Sequence, residues 1–160
     1  MFIRKEDQDM AFDLTKEDKY YYWLLTSIGL EEELVKYVTE CVESNGDVSD
    51  LVQELYNESQ DRNELKRILF FANIKNADVD KDEVKTRLVD FFHGQWTSRS
   101  LTLERIAECL GGISALEKSW TDFAWICENY SLADEGVFSY EEANDRLSDY
   151  LKENASEDGE

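Results

Sequence analysis

The sequence predicts an all-α fold, a single-domain bundle of about eight helices arranged as antiparallel hairpins. Three observations predict it. Apolar residues recur with the 3.6-residue helical period along almost the whole chain. No segment alternates Val, Ile and Thr as a half-buried strand would. Proline is absent, and the 7 glycines fall mostly between periodic runs, where helices stop. A chain of 160 residues, 42% hydrophobic and 12% aromatic, is long enough to bury one core without disulfides. A solenoid of stacked helix pairs is the alternative, although no fixed repeat period supports it.

The elements follow in order. Residues 1–13 hold Met1, Phe2, Ile3, Met10 and Phe12 without a clean period and read as an ambiguous arm. Thr15, with Asp18 three residues on, opens helix one; its Tyr20 to Leu25 run is apolar almost all round, and Gly29 ends it. Helix two spans about Leu30 to Glu43, with Glu31, Glu32 and Glu33 at the positive end of the helix dipole. Asn45-Gly46 stops it. Helix three starts at Asp47 or Ser49, and helix four at Asp61 with Glu64 three on. Helix five is expected over Asp80 to His93, closed by Gly94. Helix six opens at Ser98 or Ser100 and ends at Gly111-Gly112. Ser114 with Glu117 reads as a capping box for helix seven, whose stripe is Leu116, Trp120, Phe123, Cys127 and Tyr130. Ser139 with Glu142 opens helix eight, whose face is Tyr140, Ala143, Leu147, Tyr150 and Leu151. The domain is expected over 1–153, with 154–160 a flexible acidic tail.

Catalytic chemistry finds little support. The sole histidine, His93, sits at the expected end of helix five and reads as a capping or part-buried residue. Cys41, Cys109 and Cys127 are odd in number, fit no zinc spacing, and read as small apolar thiols. The run Asp78-Val79-Asp80-Lys81-Asp82 begins like a calcium loop, but Glu83 and Val89 stand where Gly and Glu are required. Ser131 to Glu142 resembles the second half of such a loop, with Ser131 and Ala133 in place of the first two anionic ligands. No phosphate-loop, dinucleotide, nucleophile-elbow or zinc-protease motif occurs. The expectation is a non-enzymatic protein with no metal and no cofactor.

Charge carries the functional reading. The chain has 37 Asp and Glu against 17 Lys and Arg, a formal charge of -20. That balance argues against direct contact with nucleic acid or anionic membrane, which proteins make with Lys and Arg. No stretch approaches the ~20 apolar residues of a membrane span. The N-terminus lacks the apolar core of a signal peptide, so a cytoplasmic protein is expected. Residues 134–160 hold 10 acids against Arg146 and Lys152. Asp134, Glu135, Glu141, Glu142, Asp145 and Asp149 lie off the apolar face and form the expected docking surface for a basic protein. Such a surface can occupy a nuclease cleft as a decoy for phosphates. Tyr21 and Trp96 are the expected aromatic anchors, Tyr21 because three consecutive tyrosines cannot share one helix face. An exposed tyrosine also permits a weak homodimer beside the monomer.

In size, acidity, Trp and Tyr content and helical layout, the chain resembles the immunity proteins of bacterial polymorphic toxin systems, of the contact-dependent-inhibition or bacteriocin-like kind. The segment Gly136-Val137-Phe138-Ser139-Tyr140-Glu141-Glu142-Ala143, running to Tyr150-Leu151, is similar to the way several such families end. The resemblance implies a small cytosolic inhibitor that neutralises a cognate toxin domain. It transfers no functional residue. The alternative is an acidic regulatory interaction module or a DNA-mimic anti-restriction protein.

Overall fold

The computed structural model describes residues 11–73 and 78–156. Among them eight helices account for the regular structure: α1 Lys16–Ser27, α2 Glu31–Ser44, α3 Asp50–Asn57, α4 Arg62–Asn73, α5 Lys81–Thr97, α6 Leu103–Leu116, α7 Thr121–Asp134 and α8 Tyr140–Asn154. The all-α expectation holds. Backbone contacts gather into two compact units, Met1–Lys81 and Asp82–Glu160. Residues 1–10 of the expected arm and 157–160 of the expected tail lie outside the described residues.

In the first unit α1 is central, packing on α2 and α4, with α3 against α2. Thr15 caps α1 in a reciprocal box: its hydroxyl accepts from the Asp18 amide, and the Asp18 carboxylate accepts from the Thr15 amide. Leu24, Leu25, Leu34, Val38, Val52, Leu55, Leu65 and Leu69 are completely buried. Helix α1 ends on Gly29 at φ +87°, with Leu30 donating to the Leu25 carbonyl and Gly29 to that of Thr26. The described end of the ambiguous arm is tied down. Phe12 forms a one-residue parallel bridge with Val48, donating to Asp47 and accepting from Ser49, and Leu14 is buried.

In the second unit α6 packs closely on α7, and α8 lies against both. Its core is Val84, Leu88, Phe92, Ile106, Leu110, Ile113, Phe123, Ile126, Leu147 and Leu151. Several expected boundaries are corrected here. Gly94 does not stop α5, which continues to Thr97. Its flank is open, so it costs the helix about 1 kcal/mol of propensity without breaking it. The helix closes instead at Arg99, where Ser100 donates to the Gln95 carbonyl and Arg99 to that of Trp96. The cap of α6 is Thr102, which accepts from the Arg105 amide, and not Ser98 or Ser100.

Gly111-Gly112 lies inside α6, which runs on to Leu116. The reason is close packing: a Cβ on Gly111 would stand 2.4 Å from the Cys127 sulfur. Ser114 therefore caps nothing, its hydroxyl donating back to the Gly111 carbonyl, and α7 starts only at Thr121. Leu116 is exposed rather than part of the α7 stripe, and Tyr140 is exposed rather than on the core face of α8. Helix α3, at 8 residues, is shorter than the elements expected from the pattern, and α5, at 17, is longer.

Candidate functional site

The second unit carries most of the expected docking residues. Asp134 is the last residue of α7 and Glu135 its cap, so both sit at the negative end of that helix dipole, where an anion is disfavoured. The Tyr140 hydroxyl donates to the Asp134 carboxylate. Gly136, at φ +79°, turns the chain, and Ser139 caps α8 by accepting from the Glu142 amide. Glu141 and Glu142 occupy the favourable first turn of α8.

Along the outside of α8, Glu141, Asp145, Asp149 and Glu153 follow one another at four-residue intervals, all exposed. Each step rises about 6 Å along the axis and drifts about 40° around it. Like charges at this spacing destabilise a helix by about 0.2–0.5 kcal/mol per pair. None of the four forms a salt bridge or side-chain hydrogen bond among the described residues. Glu142 is different: it pairs with Arg146 at 3.5 Å. The Arg146 guanidinium lies 4.3 Å from the Phe138 ring centroid and 5.4 Å from that of Trp125. Trp125 is 47% exposed and Val137 69%. The result is an arc of carboxylates beside a small aromatic platform.

The inner side of α8 uses its neighbours' charges differently. Asp122 on α7 bonds the Lys85 ammonium of α5 at 2.8 Å and accepts from the Tyr150 hydroxyl of α8 at 2.5 Å. Burial alone would raise the Asp122 carboxyl, but the hydrogen bonds from Lys85 and Tyr150, with the charge of Lys85, hold it below the usual range. Burial, then the Asp122 carboxylate, drives the Tyr150 phenol well above its ordinary value.

The remaining expected residues separate. Trp96 is in the last turn of α5, not in a loop, with His93 edge-on at 6.1 Å and the Lys152 ammonium of α8 over its ring at 5.6 Å. Tyr21 belongs to the first unit and is buried, in edge contact with Tyr22 at 4.9 Å. It offers no docking surface, because α1 is packed by helices on both sides. Two residues of the candidate face escaped the sequence reading. Glu153 closes the expected domain, and its four-residue spacing from Asp149 signals its place in the strip. Trp125 falls roughly opposite Phe123 on a helical wheel, which signals its exposure.

No protein-family model matches the chain, and no curated protein or solved structure matches it either. What the site can do rests on its own geometry.

No group of three or more His, Cys, Asp or Glu among the described residues is placed to hold a metal ion. Burial pushes the thiols of Cys41, Cys109 and Cys127 upward from their ordinary value. His93 makes its ring contact with Trp96 and no hydrogen bond to another described residue. No helix of the described residues is long and apolar enough to cross a membrane. One open pocket of about 720 Å³ lies in this unit, between the α5–α6 turn and the helices α7 and α8; Trp96, Arg99, Glu104, Tyr130, Tyr140 and Asn144 are among its walls.

Proposed function

We propose that this protein is a non-enzymatic inhibitor that docks a strongly cationic protein through the outer face of α8 and the α7–α8 turn. In its most concrete form it is a cytoplasmic immunity protein that occludes the basic active-site cleft of a cognate bacterial toxin, a nuclease. The observation that carries the reading is the Glu141–Asp145–Asp149–Glu153 strip. Its spacing works against helix stability and, beyond Glu141 at the helix start, the helix gains nothing from it, while a phosphate-binding cleft is built to receive a row of anions. Asp134 and Glu135 add charge at a helix end that disfavours it. Trp125 and Val137 supply the exposed apolar area that anchors interfaces.

The experiment is co-expression with the product of the adjacent open reading frame, scored as growth. The wild-type chain is expected to rescue growth, and the Asp145→Lys/Asp149→Lys variant to fail while folding normally. Equal rescue by both would remove the strip from the interface. Purified complex that still binds and cleaves nucleic acid would remove the decoy mechanism.

A further inference from the structure

We propose that the pocket beside the α5–α6 turn binds a small zwitterion, an α-amino acid with an apolar or aromatic side chain. This goes beyond the docking reading and does not depend on any protein partner.

The first observation is a backbone one. Helices α1, α5 and α7 end on the same turn, in which one amide reaches back five residues and the preceding amide three. The residue held in the left-handed region is Gly29 in α1, at φ +87°, and Gly136 in α7, at φ +79°. In α5 it is Arg99, at φ +62°, the one non-glycine with positive φ among the described residues. A side chain there is strained where glycine is not, so the fold bears a cost to keep an arginine at that spot. Strain of this kind gathers at ligand sites.

The second observation is charge. Arg99 and Glu104 both line the pocket, yet they form no salt bridge with each other or with any other described residue. Both side chains are exposed, so their charges are open to a ligand. A lone anion in this pocket would face Glu104, and a lone cation would face Arg99. A ligand carrying a carboxylate and an ammonium satisfies both.

The third is the apolar wall. Trp96 is held between His93 and Lys152, the Tyr130 hydroxyl is fixed on Asn144 Oδ1, and the Tyr140 hydroxyl on Asp134. Aromatic groups set in advance in this way receive an apolar side chain at little ordering cost. The volume, about 720 Å³, falls in the range of small-molecule sites, ~300–1,000 Å³.

The test is calorimetric titration of the full chain with L-phenylalanine, L-leucine, 3-phenylpropionate and 2-phenylethylamine. The amino acids are expected to bind at millimolar concentration or below. Each single-charge analogue should bind about tenfold more weakly or worse, having lost one charge-assisted contact. Arg99→Gly should abolish binding while raising the melting temperature by about 2–4 °C, a split that a purely structural arginine would not give. Glu104→Gln should weaken the amino acids to the level of 3-phenylpropionate. Absence of heat with both amino acids, equal binding of the analogues, or undiminished affinity in Arg99→Gly would each overturn the proposal.

Discussion

Helix α8 presents two sides, and carboxylates are treated in opposite ways at each. On the inner side Ala143, Leu147 and Leu151 are buried, and Tyr150 meets Asp122, whose charge is answered by Lys85. On the outer side Glu141, Asp145, Asp149 and Glu153 repeat every four residues with no cation opposite them. The inner carboxylate ties three helices together. The outer ones oppose one another, and only Glu141, in the first turn, returns anything to the helix. The difference separates acid spent on structure from acid left over for something else, a distinction that a net charge of -20 does not make by itself.

The largest expected effect lies on the inner side of α8. Leu147→Ala removes a completely buried side chain and should cost about 2–5 kcal/mol in urea unfolding, with partner affinity unchanged for the molecules that remain folded. A loss near zero would mean that this side of α8 does not hold the unit together. Asp122→Ala comes next. It leaves Lys85 and Tyr150 unpaired and should cost about 1–2 kcal/mol, a figure reduced because a third of the Asp122 side chain meets solvent. Equal stability to wild type would reclassify the Lys85–Asp122–Tyr150 contact as ornamental.

Neutralising the outer strip as Glu141→Gln, Asp145→Asn, Asp149→Asn and Glu153→Gln should do the reverse. Relief of three like-charge pairs stabilises the chain by up to about 1 kcal/mol, less what Glu141 contributes at the helix start. A clear destabilisation would show that these carboxylates do serve the fold. The smallest effect is in pH. The Asp122 carboxyl is lowered in the folded state, so its stabilisation is present above the unfolded carboxylate value near ~3.9 and is lost as pH falls through the folded value. The Tyr150 phenol is raised, so its contribution is present below about pH 10 and is lost as pH rises beyond it. Melting temperature against pH should therefore lose its acid limb partly in Asp122→Asn and its alkaline limb partly in Tyr150→Phe.

Much of the fold was legible because capping chemistry is local. Thr15, Ser49 and Ser139 each accept from the amide three residues on, as their sequence positions predict. Glycine was the weak signal. Gly29 and Gly136 take up left-handed turns, whereas Gly94 is an indifferent helix residue and Gly111 is required by the nearness of the Cys127 sulfur, a contact between two helices that no local pattern encodes. The same gap explains the missed end of α5, since an arginine at the left-handed position gives no stop signal. At the candidate site, the α8 acids were legible from helical spacing. The exposure of Trp125 is legible from its place opposite Phe123 on the helix, whereas the burial of Tyr21 depends on which neighbours pack against α1.

The central claim is that the outer strip of α8 meets a cationic protein surface. The direct measurement is the association rate of the chain with a purified basic nuclease domain of the proposed partner class at low and high salt, wild type against Asp145→Lys/Asp149→Lys. The account predicts a rate for the variant at least about tenfold slower at low salt, a flattened salt dependence and an unchanged melting temperature. Identical rates and identical salt slopes for the two proteins would contradict it.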